Sequence, residues 1–159
     1  MKSQFLIAVA LISSVWLAAT PVRAQEVTKE TVEGITNLNR IETTVACSGA
    51  IKATAVPEIK KFGFASIINL RQASEDGANL EAEEAAAKAA DIRYYSLPFS
   101  STAPDPAVAD KFLEAITAKG SDPAFIHCAG GGRAATMWFI KRLAGSGASP
   151  GAGSDQGNG

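Results

Sequence analysis

The stretch Phe125-Ile126-His127-Cys128-Ala129-Gly130-Gly131-Gly132-Arg133 sets a thiol, three glycines and a guanidinium directly behind an apolar run. If Phe125 and Ile126 end a buried strand and a helix starts near Arg133, the glycines let successive backbone N–H groups turn toward one point. That is the geometry that cradles phosphate or sulfate. The dipole of the following helix and the fixed charge of Arg133 both favour negative charge there, which predicts a depressed pKa for Cys128 and a thiolate nucleophile near neutral pH. A cysteine after an apolar strand is by itself equally a small buried hydrophobe, and glycine-rich turns also serve close helix–sheet packing. The conjunction of His127, Cys128, three glycines and Arg133 points to an anion loop.

Such a loop needs a strand to deliver it and a helix to follow it, and the apolar pattern supplies both. Thr44 to Cys47 is a short β-prone run closed by Ser48-Gly49, Pro57 to Phe62 a short helix, and Ala65 to Leu70 a nearly continuous apolar strand. Asn79 caps a helix from Leu80 to Ala90, and Asp91 turns the chain into a strand from Ile92 to Leu97. After Pro98 the polar loop Ser100 to Asp105 leads into a helix from Pro106 to Lys119, with Val108, Phe112, Leu113 and Ile116 as its apolar stripe and Gly120 as its end. A strand from Ala124 to Ile126, the glycine loop and a helix from Arg133 to Leu143 complete the order. Strands alternating with helices predict a single α/β domain, its central sheet mostly parallel and covered by helices on both faces. Sites in such folds form at the carboxyl ends of strands, so the Cys128 loop and the Ser100 to Asp105 loop can open onto one crevice.

Several function classes drop out on composition. The chain has 15 Lys and Arg, 16 Asp and Glu and no basic block, which disfavours nucleic acid as a partner. A single histidine and two distant cysteines give neither a zinc-site spacing nor a Ser-His-Asp triad, so no metal and no cofactor are expected. At the N-terminus Lys2, the apolar run Phe5 to Ala19 and Val22-Arg23-Ala24 read as a signal peptide over residues 1–24, cleaved after Ala24; the alternative is an uncleaved anchor. Export to the periplasm or outside the cell follows, with no stable membrane insertion after cleavage. Residues 25–144 then form the domain, and the Gly/Ser-rich run 145–159 is expected to be a disordered tail.

Taken together, the lead-in Asn37-Leu38-Asn39-Arg40-Ile41, then Cys47-Ser48-Gly49, Gly63-Phe64 with Ile68-Asn69-Leu70-Arg71, Tyr94-Tyr95-Ser96-Leu97-Pro98, and His127-Cys128 through Arg133 resemble a known family. It is the beta-lactamase-hydrolase-like phosphatase-like domain, a bacterial branch of the cysteine-dependent dual-specificity and tyrosine phosphatase fold. The resemblance spans roughly Asn37 to Leu143 and implies a phosphatase acting on a phosphoprotein or a small phosphorylated molecule. It implies that Cys128 attacks phosphorus, that Arg133 and the backbone of Ala129, Gly130, Gly131 and Gly132 hold the oxygens, and that His127 orients the loop from behind. Asn69 and Arg71 read as structural residues at the end of the central strand.

Three departures bear on activity. Cys128 to Arg133 is Cys-x4-Arg, where standard tyrosine phosphatases have Cys-x5-Arg; the shorter loop is that of rhodanese-type sulfurtransferases and also of the phosphatase-like branch that the chain resembles. Ala134 and Ala135 follow the arginine where a Ser or Thr is usual, and Thr136 comes only later. The stretch from Leu97 to Thr102, where the general acid belongs, holds no Asp; Asp105 is the nearest candidate, with helix capping as its alternative. A sulfurtransferase carrying a Cys128 persulfide and a non-catalytic oxyanion-binding module therefore stand beside the phosphatase. Cys47, the one other cysteine, is either a small core residue or a disulfide partner of Cys128, and free thiols are the expectation because nothing in the sequence brings the two strand ends together.

Overall fold

Three parallel strand pairings and two antiparallel ones build a six-stranded mixed sheet in the order β1-β2-β3-β6-β4-β5. The computed structural model describes residues 27–146, so the expected signal peptide and all of the expected tail beyond Ser146 lie outside the described residues. The strands are β1 (Thr28–Val32), β2 (Ile35–Glu42), β3 (Val45–Ser48), β4 (Ser66–Asn69), β5 (Arg93–Ser96) and β6 (Ala124–His127). The helices are α1 (Val56–Lys61), α2 (Leu80–Ala89), α3 (Pro106–Thr117) and α4 (Gly132–Ser146), with a 3-10 turn at Ala53–Ala55 ahead of α1.

The parallel half is the expected α/β arrangement. β3, β4 and β6 are buried at every position because helices cover both of their faces. On one face Ala46, Ile67 and Phe125 pack with Val56 and Ile59 of α1 and Ala87 of α2. On the other Val45, Cys47, Ile68 and Ile126 pack with Phe112 and Ile116 of α3 and Met137 and Trp138 of α4. Period-2 alternation therefore feeds two cores from one sheet.

The antiparallel half was not expected. β1 and β2 form a hairpin across Glu33-Gly34, where Gly34 adopts φ +78°, a conformation that glycine enters without steric cost. Asn37 to Ile41, read from sequence as a lead-in, is the body of β2. At the other end α4 extends three residues beyond the expected Leu143, so Gly145 and Ser146 belong to the helix and not to the tail.

Candidate active site

β6 lies between β3 and β4, so the end of β6 is flanked by the ends of two other parallel strands: Ser48, His127 and Asn69 stand in one row. Cys128 is the next residue. Its N–H donates to Ser48 O at 3.3 Å, and Leu70 N–H donates to His127 O at 2.9 Å, which anchors the loop on both sides. Beyond it the chain turns through Gly131, whose φ of +104° suits only glycine, and enters α4 at Gly132. The turn brings the Gly131 N–H within 3.1 Å of Cys128 Sγ, which accepts its hydrogen bond. Gly49 lets the end of β3 pass close beneath: a Cβ there would stand 2.8 Å from Ala129 O, and Ala50 N–H donates to that same oxygen at 2.8 Å. The amide of Asn37 donates to Gly130 O at 3.3 Å. The loop is thus held by the hairpin, by β3 and by its own helix.

Arg133 projects from the first turn of α4 into a set of acceptors that the sequence did not reveal. Its Nη1 donates to Glu75 Oε1 at 2.6 Å, Leu70 O at 2.9 Å and Phe99 O at 2.9 Å, and its Nη2 to Glu75 Oε2 at 2.6 Å. The fork-on-fork pair with Glu75 fixes the plane of the guanidinium. The hydrogen bond to Glu75 is the largest cause of a raised guanidinium pKa, and Cys128, close enough to interact with the guanidinium by charge and hydrogen bond, raises it further. Hydrogen bonding to Arg133 in turn holds the Glu75 carboxyl at about 2, below its ordinary 4.5, so Glu75 is an anion throughout the physiological range. Glu75 is delivered by the loop after β4. Gln72 N–H donates to Glu75 Oε1 at 2.7 Å, and the buried Arg71 pins the loop by donating to Asp76 O at 2.6 Å and Gly77 O at 3.2 Å.

The remaining expected residues fall as follows. His127 is wholly buried behind the loop, its Nε2 3.3 Å from Glu83 Oε2 on α2. Asn69 and Arg71 hold the fold together at the end of β4: Asn69 Oδ1 accepts from Arg71 N–H at 2.7 Å. Asp105 is exposed and caps α3, its Oδ1 accepting from Ala107 N–H at 2.9 Å; among the described residues no hydrogen bond or ion pair ties it to the Cys128 loop. Thr136 donates its hydroxyl back to Gly132 O at 3.1 Å, along its own helix. Cys47 and Cys128 are both buried free thiols, and they are neighbours: Cys47 pairs with Ile126, so the two share a sheet face one pleat apart on adjacent strands. Burial, and secondarily the charge of Cys128, pushes the Cys47 thiol up to about 12. Glu75 and Glu83 are the residues in contact with Arg133 and His127 that sequence reasoning missed. One signal for Glu75 was available, an acidic residue four positions after an arginine in a loop that closes a central strand.

A strand, a glycine-turned loop with cysteine at its base and arginine at its end, and a helix beginning on that loop define the class: this is the cysteine phosphatase fold. The chain belongs to the family described as the phosphatase-like domain of beta-lactamase hydrolase-like protein, whose model matches residues 37–145. Among solved structures it is similar to a DUF442 protein of Shewanella putrefaciens CN-32, with 20% identity, 74% of this chain and 78% of that one covered, and a TM-score of 0.66. It is similar to TpbA of P. aeruginosa at 22% identity, 80% and 74% coverage and a TM-score of 0.59, and TpbA has also been solved with phosphotyrosine bound. The catalytic core of the PP-IP phosphatase Siw14 of S. cerevisiae follows at 17% identity, 73% and 69% coverage and a TM-score of 0.51. Among curated proteins none matches the sequence.

Proposed function

We propose that the protein is a periplasmic or secreted cysteine phosphatase that hydrolyses a phosphoester, phosphotyrosine or a small aryl phosphate, through a phosphocysteine intermediate. The observation that carries this reading is the placement of Cys128 Sγ under the Gly131 N–H with the guanidinium of Arg133 fixed beside it. In the first step the Cys128 thiolate attacks phosphorus, the bond to the leaving oxygen breaks, and the phosphoryl group is carried on sulfur. Arg133 and the N–H groups of the loop hold the equatorial oxygens as charge builds on them. Water then attacks phosphorus, releasing inorganic phosphate and restoring the thiolate.

The leaving group sets the substrate class. Glu75 is ionised at about pH 2 and above and cannot donate a proton near neutrality, and the carboxylate of Asp105 is engaged at the start of α3. A leaving oxygen of low basicity, such as the phenol of tyrosine at a pKa of about 10, departs with less help than an alkyl alcohol. Phosphotyrosine in the TpbA complex fits the same preference. The four-residue spacing from Cys128 to Arg133 favours one second reading, persulfide transfer.

Turnover of p-nitrophenyl phosphate, abolished in Cys128→Ser, tests the proposal. Cyanide-dependent turnover of thiosulfate in place of phosphoester hydrolysis would transfer the assignment to sulfur chemistry, and phosphate binding with neither activity would leave an anion-binding module.

A further inference from the structure

Behind the catalytic loop, on the sheet face covered by α2, a fully buried carboxylate collects donors from two strands and lies against the histidine of a third. Glu83 Oε2 accepts from Asn69 Nδ2 of β4 at 2.8 Å and from the Tyr94 hydroxyl of β5 at 3.1 Å, and it lies 3.3 Å from His127 Nε2 of β6. Asn69 Nδ2 also donates to the Tyr94 hydroxyl at 2.7 Å. Glu83 is 2% exposed, and Asn69 and His127 are not exposed at all. Burying a carboxylate is costly unless it is well supplied with hydrogen bonds, and here the supply comes from the strands that carry the site. A helix facing a sheet could satisfy the same space with an apolar residue at no such cost, as Ala87 does one turn further along α2.

Two chains of contact leave Glu83 and end at the two reacting groups. The first is short: Glu83 meets His127, and His127 is bonded covalently to Cys128. The second runs through Asn69, whose Oδ1 holds the Arg71 N–H, to Arg71, whose side chain pins the carbonyls of Asp76 and Gly77 and so shapes the loop that presents Glu75 to Arg133. We infer that Glu83 is a positioning residue that fixes the nucleophile and the anion-binding arginine relative to one another, through His127 on one side and Asn69 on the other. The inference rests on Cys128 and Arg133 being the reacting pair, and its test does not depend on turnover.

The measurement is the affinity of the full-length protein for inorganic phosphate by titration calorimetry, with circular dichroism confirming that each variant is folded. Glu83→Gln keeps the size of the side chain but turns an amide N–H toward the donors. It weakens phosphate binding about tenfold, since displacement of a site by a fraction of an ångström from outside it is enough for that. His127→Asn weakens it comparably, and the double variant falls well short of the product of the two, because both act along one path. Full multiplicativity, or a folded Glu83→Gln that binds phosphate as the native protein does, overturns the inference. If Glu83→Gln does not fold, Tyr94→Phe removes one donor at the half-buried edge of the group. It is expected to cost about threefold in affinity, and no change there overturns the inference as well. Native protein that binds phosphate without hydrolysing esters would end the phosphatase reading and leave this inference standing. If the native protein binds no phosphate, the rate of Cys128 alkylation by iodoacetamide decides it: Glu83→Gln is expected to slow that rate, and an unchanged rate refutes the coupling.

Discussion

Strands β3 and β6 run side by side, and each carries a cysteine toward the same end of the sheet, yet only one of the two is built into a site. Cys47 and Cys128 are 4% and 1% exposed, so accessibility does not separate them. The backbone that follows does. After Cys47 the chain continues through Ser48 and the tight passage at Gly49, whose N–H is spent on Thr36 O. After Cys128 it turns at Gly131, aims an N–H at the sulfur and starts a helix whose first turn carries Arg133. Burial, with a smaller contribution from the charge of Cys128, pushes the first thiol up to about 12. On the proposed reading, what suits Cys128 to nucleophilic attack is the donor that the chain folds over it, not its depth.

The sharpest way to break that comparison is to exchange each cysteine in turn. Cys128→Ser is expected to lower phosphoester turnover by more than about a thousandfold, while Cys47→Ala leaves turnover within about threefold and costs on the order of 1 kcal/mol in stability, as small core deletions do. Steady-state rates and urea denaturation check both halves, and equal losses at the two positions would erase the distinction. Arg133→Lys comes next, with an expected loss of about a hundredfold or more, because a point charge cannot reproduce the planar fork that holds Glu75 and donates to an anion.

Glu75→Gln isolates the orientation of Arg133 from its charge. It is expected to lower kcat/KM by about ten- to a hundredfold with Arg133 still present. The same variant has a signature in acid. Because the folded pKa of Glu75, about 2, lies below its ordinary 4.5, the pair contributes stability that is fully present above the ordinary value and is lost as pH falls toward 2. Thermal melts from pH 6 to pH 2 should therefore show a smaller acid-induced loss in Glu75→Gln than in the native protein, and parallel curves would count against the ion pair. The smallest effect concerns the wall the two strand ends share. A methyl at Gly49 would press on Ala129 O, so Gly49→Ala is expected to cost about 1–3 kcal/mol and to lower turnover only as far as the loop shifts, as denaturation and kinetics together would show.

The parts of the molecule legible in the sequence are those whose signal is local. The buried strands β4 and β6 read as apolar runs, α2 is announced by Asn79, which does accept from Ala82 N–H at 3.1 Å, and the Cys128 loop is contiguous, so its order of residues already implies its shape. The hairpin of β1 and β2 was missed because its turn is Glu33-Gly34 and not one of the Asn-Gly or Asp-Gly pairs that mark two-residue turns, and because charged residues interrupt its alternation. For Asp105 the sequence left a general acid and a helix cap open, and the structure shows the cap: the carboxylate serves the helix that follows it.

What the sequence determined by itself is the candidate anion loop, since a cysteine, the glycines that let donors converge on it and an arginine suited to an anion all lie within one short stretch and need no distant partner to be recognised. What only the tertiary structure decided is how those groups are held. Glu75 reaches Arg133 from 58 positions away, His127 meets Glu83 of the helix that covers its face of the sheet, and Cys47 comes alongside Cys128 because β6 inserts between β3 and β4. A carboxylate as deeply buried as Glu83 can stand only where folding has supplied donors, and that condition is a property of packed strands, which no spacing along the chain encodes.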